Sequence, residues 1–167
     1  PLHSDPSPLP ECDAVVLEST YDDRRHDERP LADQLRDAVR PTLEGGGTVL
    51  IPAFAVARAQ LLILVLGQLM AAGRIPRVPI DLDSPMAVDA TNIYERYATS
   101  LSLDEGVRRG LHPEGLRLHR SVPESRALND APGPRVIVSS SGMLTGGRVL
   151  HHLARLAGSA RNLILLA

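Results

Sequence analysis

Short apolar runs and longer amphipathic stretches succeed one another along the chain. This alternation predicts an α/β fold, a mostly parallel sheet with helices on both faces. Ala14, Val15, Val16 and Leu17 form a first apolar run that ends at Glu18 and reads as a strand. A helix is predicted over residues 28–44, where Leu31, Leu35, Ala38, Val39 and Leu43 share one face and Gly45, Gly46 and Gly47 stop it. Residues 48–51 read as the next strand, closed by Pro52, and an apolar helix follows over residues 56–72. Residues 78–82 form a third strand that contains a proline. Pro85 then opens a helix ending near Ala98, since a missing N–H costs nothing in a first helical turn. Residues 100–115 are polar and punctuated by glycine, with one short helix over 103–109. Ser121 and Glu124 have the spacing of a capping box for a helix ending near Ala131. Residues 135–139 are a strand, followed by a Gly-rich loop, a helix over 145–156 and a last strand over 162–166. The first ten residues carry four prolines and read as an extended connector.

Length and composition bound what such a fold can do. The 167 residues suit one domain with a substantial core. No apolar run reaches membrane-spanning length, and the richest, residues 61–69, is interrupted by Gly67 and Gln68. One cysteine, Cys12, allows no internal disulfide, which fits a cytoplasmic protein. A formal net charge of −2 argues against a surface that binds nucleic acid nonspecifically, so a polyanion site must be local. All 18 basic residues are arginine, which suits phosphate but also follows from a GC-rich coding bias. With Phe54, Tyr21, Tyr94 and Tyr97 as the full aromatic complement, base stacking is not a main source of affinity.

Ligands of open parallel sheets bind beyond the carboxyl ends of the strands. Four segments of unusual composition fall there: residues 18–21 (Glu18, Ser19, Thr20, Tyr21), 52–58 (Pro52 to Arg58), 83–86 (Asp83, Ser84, Pro85, Met86) and 139–148, which includes Ser141, Gly142, Thr145 and Arg148. Singly, each is readily a turn or a helix cap; Ser84 and Thr145 are good N-caps. Arg58 and Arg148 both fall near the first turn of a predicted helix, where the dipole disfavours a cation by ~0.3–1 kcal/mol. A bound anion reverses that sign. The expectation is therefore that Arg58, Arg148, Glu18 and the Ser141–Gly142 backbone face one crevice. The alternative is that each arginine pairs with a carboxylate such as Asp83 or lies in water. His3, His26, His112 and His119 sit in polar segments and read as surface residues, while adjacent His151 and His152 point about 100° apart on a helix. No His-x-His or His-x-x-x-His pair exists, so no metal ligand set is expected.

The four segments, in this order, resemble the β-CASP nucleases of the metallo-β-lactamase superfamily, the RNA-processing exonuclease and cleavage and polyadenylation specificity factor kind. The motifs that carry the likeness run from Val16 to Tyr21 (followed by Arg24 and His26), from Ile51 to Gln60, from Leu82 to Ala87, and from Ser141 to Arg148. Asp22 departs from the glycine usual in the first motif. The resemblance implies a fragment of a larger two-domain protein, with residues 1–17 ending a metallo-β-lactamase domain and residues 18–167 forming a β-CASP domain truncated at its C-terminal end. It further implies a parent hydrolase in which two zinc ions activate a water against an RNA phosphodiester. The present segment would be the lid over that cleft and would itself be inactive and zinc-free. Glu18 would be the catalytic residue that orients a later histidine. Thr20, Phe54, Arg58, Asp83, Ser84, Ser141, Gly142 and Arg148 would contact substrate. RNA and the protein's own metallo-β-lactamase domain are the implied partners, with homodimerisation left open and no membrane. A non-catalytic β-CASP scaffold and an unrelated α/β domain binding a small phosphorylated ligand are the competing readings. Retention of Glu18 and Arg58 favours the nuclease over the scaffold, and the four ordered motifs disfavour the unrelated domain.

Overall fold

The computed structural model describes residues 7–20 and 28–166. Its elements run α1 (Leu31–Glu44), β1 (Thr48–Pro52), α2 (Arg58–Ala71), β2 (Ile80–Asp83), α3 (Pro85–Arg96), α4 (Glu105–Gly110), β3 (Leu116–His119), α5 (Val122–Ala127), β4 (Arg135–Ser139), α6 (Val149–Leu156) and β5 (Leu163–Ile164). A 3-10 turn, Leu128–Asp130, extends α5. The strands form one parallel sheet in the order β3-β2-β4-β1-β5.

Side chains alternate across each strand, so the register fixes which residues share a face. Val49 and Ile51 of β1, Ile80 and Leu82 of β2, and Val136 and Val138 of β4 point to one side. There they pack against Leu35, Val39 and Leu43 of α1, Leu62, Ile63, Leu66 and Leu69 of α2, and Ala87 and Val88 of α3. The opposite face carries Leu50 and Ile137, covered by Leu128 and Val149. It also carries Asp81, Asp83, Arg135 and Ser139, all buried. Helix α2 is apolar nearly all round because it is covered twice, by the sheet and, through Leu64, by Tyr94, Val107 and Leu111.

Three sequence expectations are corrected. Residues 14–17 form no strand: Val15, Val16 and Leu17 are exposed, and none of the five strands pairs with them. A four-residue apolar run carries no information about whether a partner edge exists. The helix expected from 145 begins at Val149, leaving Thr145 in the loop and Arg148 at the N-cap. A strand the pattern reading passed over, β3, forms the far edge; Leu116 and Leu118 alternate with Arg117 and His119, which hid it inside a polar stretch. Asp22, Arg24 and His26 lie outside the described residues.

The apolar layer under α2 should dominate stability. Leu66 is fully buried, and Leu66→Ala is expected to lower the unfolding free energy by about 2–5 kcal/mol. Chemical denaturation of the two proteins measures this. A loss below about 1 kcal/mol would contradict the packing described.

Candidate functional site

The connections after the strands decide where a cleft can open. Strand β1 leads to α2 and β2 leads to α3, both on the apolar face, whereas β4, between those two strands, leads to α6 on the other face. Chains that leave neighbouring strands in opposite directions cannot close over the strand ends, and this is where ligands enter open parallel sheets. A crevice of about 420 Å³ lies there, lined by Ala53, Phe54, Ala55, Asp83, Ser84, Pro85, Met86, Ser140, Ser141, Gly142, Gly147 and Arg148. Three of the four sequence segments thus converge on one hollow. A hollow of similar size, about 440 Å³, lies at the opposite, amino edge beside Arg77, Arg109 and Gly115. Its arginines are met by Glu114 and Glu105, and it lacks the switch in chain direction.

The crevice wall is built by close backbone approach. Gly142 sits where a Cβ would come within 3.0 Å of the Phe54 amide nitrogen. Gly147 has φ +84°, and a Cβ there would lie 2.6 Å from the Ser140 carbonyl oxygen, so only glycine fits. Ser84 caps α3 as expected: its Oγ accepts from the Ala87 amide at 3.2 Å and from the Ser140 hydroxyl at 3.0 Å. That last bond ties the β2 end to the β4 end. Phe54 and Met86 stand exposed on the rim.

Below the crevice lies a buried charged layer. The Asp83 carboxylate accepts from Arg148 Nη1 at 2.8 Å and from the Ser125 hydroxyl at 2.5 Å, and His152 Nε2 lies 2.8 Å from it. Asp81, two residues earlier on the same face, meets His119 Nε2 at 2.9 Å and accepts from Arg135 Nη1 at 3.2 Å. Two fully buried carboxylates are thus matched by two guanidinium groups and two imidazoles. Burial alone would raise the Asp83 pKa, but the hydrogen bonds from His152, Ser125 and Arg148 outweigh it and hold the carboxyl below its ordinary value.

The expected shared crevice for both arginines is not what forms. Arg148 lines it, but its guanidinium is engaged by Asp83 and by the carbonyls of His119, at 3.1 Å, and Arg120, at 2.6 Å. Arg58 opens α2 on the other face of the sheet and is not among the lining residues. It is exposed and makes no ion pair or side-chain hydrogen bond among the described residues. Each arginine thus follows one branch of the alternative, a carboxylate partner or water. Glu18 lies apart as well, exposed, its carboxylate accepting from the Thr20 amide at 3.0 Å; hydrogen bonds from Thr20 lower its pKa.

Sequence reading missed His119, His152, Asp81, Ser125 and Arg135, and two signals were available. His152 falls on the same helical stripe as Val149, Leu153 and Leu156, and is fully buried. His119 alternates with Leu118 on a strand, which turns it toward Asp81. The sequence reading places His119 on the surface because its segment is polar, and weighs His152 only against its neighbour His151, from which it points about 100° away on a helix. Among the described residues no three His, Cys, Asp or Glu side chains come together as a metal site requires. The zinc pair that the resemblance implies is one of the parent protein, and the resemblance places none of its ligands in this segment. Nor, among the described residues, is any helix long and apolar enough to cross a membrane.

A parallel sheet with helices on both faces and a crevice at its switch point defines an open-sheet α/β domain, and comparison with known proteins specifies which. The family model of the Beta-Casp domain matches residues 59–167. Ribonuclease TTHA0252 of Thermus thermophilus is 41% identical over 169 residues, covering 96% of this chain and 38% of its own length. An RNase J-like protein of Methanocaldococcus jannaschii is 34% identical, covering 94% and 37%. The transcription termination factor FttA of Thermococcus kodakarensis is 35% identical, covering 95% and 26%. The chain belongs to the Beta-Casp domain family. It spans between about a quarter and two fifths of the length of these relatives.

The charged layer makes a specific pH dependence. Because the folded-state pKa of Asp83 is depressed, its contribution is present above the unfolded carboxylate value of about 3.9 and is lost as pH falls through the lower folded value. Asp83→Asn is expected to cost about 3 kcal/mol near neutral pH, as breaking a buried ion pair does. The gap to wild type should then narrow as pH drops below about 4. Denaturant titrations across pH measure it, and a gap that stayed constant down to acid would contradict this account of Asp83.

Proposed function

We propose that this chain is the RNA-binding lid of a metallo-β-lactamase-fold ribonuclease, closing over a zinc-dependent hydrolytic centre held by other residues of the parent protein. The observation that carries the reading is the switch-point crevice, assembled from three of the four motif segments in one place. The similarity to a ribonuclease and an RNase J-like protein supports the choice of RNA as substrate. The chain's own part is to bind and orient the strand, a role supported by the open crevice at the strand ends. Backbone groups of the Ser141–Gly142 loop and the exposed Phe54 offer contacts to sugar and base. Arg58, exposed and without a partner among the described residues, offers a charge to a phosphate approaching the rim from the α2 side. Glu18, which among the described residues is engaged by its neighbour Thr20 alone, is open to engagement by a histidine from the rest of the parent.

Fluorescence anisotropy with a short single-stranded RNA, read across a salt series, tests this. The wild-type chain should bind without cleaving. Arg58→Ala should weaken binding on the order of 3- to 10-fold and reduce the salt slope by about 0.7, one phosphate contact on a single strand. No measurable RNA binding, or a slope unmoved by the substitution, would count against the assignment.

A further inference from the structure

We propose that Asp83 is a positioning residue that withdraws the charge of Arg148 from bound RNA and uses that guanidinium to fix the crevice wall. The inference rests on the RNA-binding reading above for its ligand, and on geometry for its content. Arg148 was the cation best placed to meet a phosphate, standing at the start of α6 and lining the crevice. Its donors instead point to the protein. Nη1 is shared between Asp83 and the His119 carbonyl, and Nη2 goes to the Arg120 carbonyl. One side chain therefore joins the ends of β2 and β3 to the start of α6.

Asp83 is equipped to hold that arginine and not to meet a ligand. It has no exposed surface, and both carboxylate oxygens are occupied, one by Arg148 and the other by Ser125 and His152. Its backbone carbonyl accepts from the Ser139 hydroxyl at 3.0 Å, which anchors the strand end from which the Ser140–Gly147 loop departs. With the guanidinium neutralised, the crevice presents small and apolar groups such as Phe54, Met86 and Gly142. Arg58, at the start of α2 and outside the crevice, pairs with nothing among the described residues and stays available. The division follows: Arg58 meets phosphate, while Arg148 shapes the wall and contributes no charge to binding.

The salt dependence of RNA binding separates this from a purely structural role, because misplacing a loop lowers affinity without changing the number of phosphates neutralised. A ten-nucleotide oligouridine is titrated by anisotropy between low and moderate salt, each variant being checked for a cooperative melt. Arg148→Gln should weaken binding up to about 10-fold while leaving the slope at the wild-type value. Asp83→Asn should free the guanidinium and steepen the slope by about 0.7, and adding Arg148→Gln to it should return the slope to wild type. A slope that falls by about 0.7 in Arg148→Gln alone would show a direct phosphate contact and overturn the proposal. So would an unchanged slope in a folded Asp83→Asn. If Asp83→Asn does not fold, the Arg148→Gln slope decides alone. Should the wild-type chain bind no RNA, the earlier reading fails separately, and masking is read with inorganic phosphate. The Arg148 side-chain nitrogen signal of the wild type should then not shift with phosphate, and a shift would overturn masking.

Discussion

Asp81 and Asp83 stand two residues apart on one face of an interior strand with no exposed surface, and a large part of the structure answers that demand. Removing two carboxylates from water costs several kcal/mol each unless partners restore the lost hydration. The fold supplies those partners from four elements. Arg135 comes from the start of β4, His119 from the end of β3, and Arg148 and His152 from the start and first turns of α6, with Ser125 added from α5. Because the partners arrive from four different stretches of chain, satisfying the carboxylates also fixes where α5, α6 and the β3 edge lie. The other face of the same sheet needs no such matching and is closed by aliphatic packing under α1, α2 and α3.

That asymmetry explains the crevice. Aliphatic burial draws α2 and α3 to one side, while the charged layer draws α6 to the other, and the strand ends between them stay open. The wall is then set by glycines that allow backbones to meet, and by the Ser140–Ser84 hydroxyl contact above the Asp83 cluster. Site geometry and the polar core are thus one arrangement viewed from two sides. Changes to the buried layer should be felt in the crevice before they are felt in the aliphatic core.

Much of this was legible in the chain. The helices at α1, α2 and α3 and the strands β1 and β4 follow from periodicity, capping and proline placement, and β4 matches its expected bounds. The motif segments at 52–58, 83–86 and 139–148 were correctly placed at strand ends. What was not legible depended on sheet order. Pattern alone could not say that β4 would insert between β2 and β1, and so could not say that α2 and α6 would cover opposite faces. The expectation that Arg58 and Arg148 face one crevice fails on that point, and the carboxylate that engages Arg148, Asp83, lies 65 residues from it in sequence. The run at 14–17 shows the converse, a local apolar signal with no edge to complete it among the described residues. His152 was recoverable from its helical stripe, but only if a histidine is allowed to count as a core residue when a carboxylate awaits it.

The central claim is that the switch-point crevice receives the RNA strand. Photocrosslinking with a single-stranded RNA carrying one 4-thiouridine, followed by mass spectrometry of the tryptic peptides, tests it most directly. The account predicts crosslinks concentrated at Phe54 and its neighbours, at Met86 and in the loop containing Ser141, Gly142 and Met143, with little elsewhere on the sheet. Crosslinks gathered instead at the amino edge of the strands, around Arg77, Arg109 and Arg117, would contradict it.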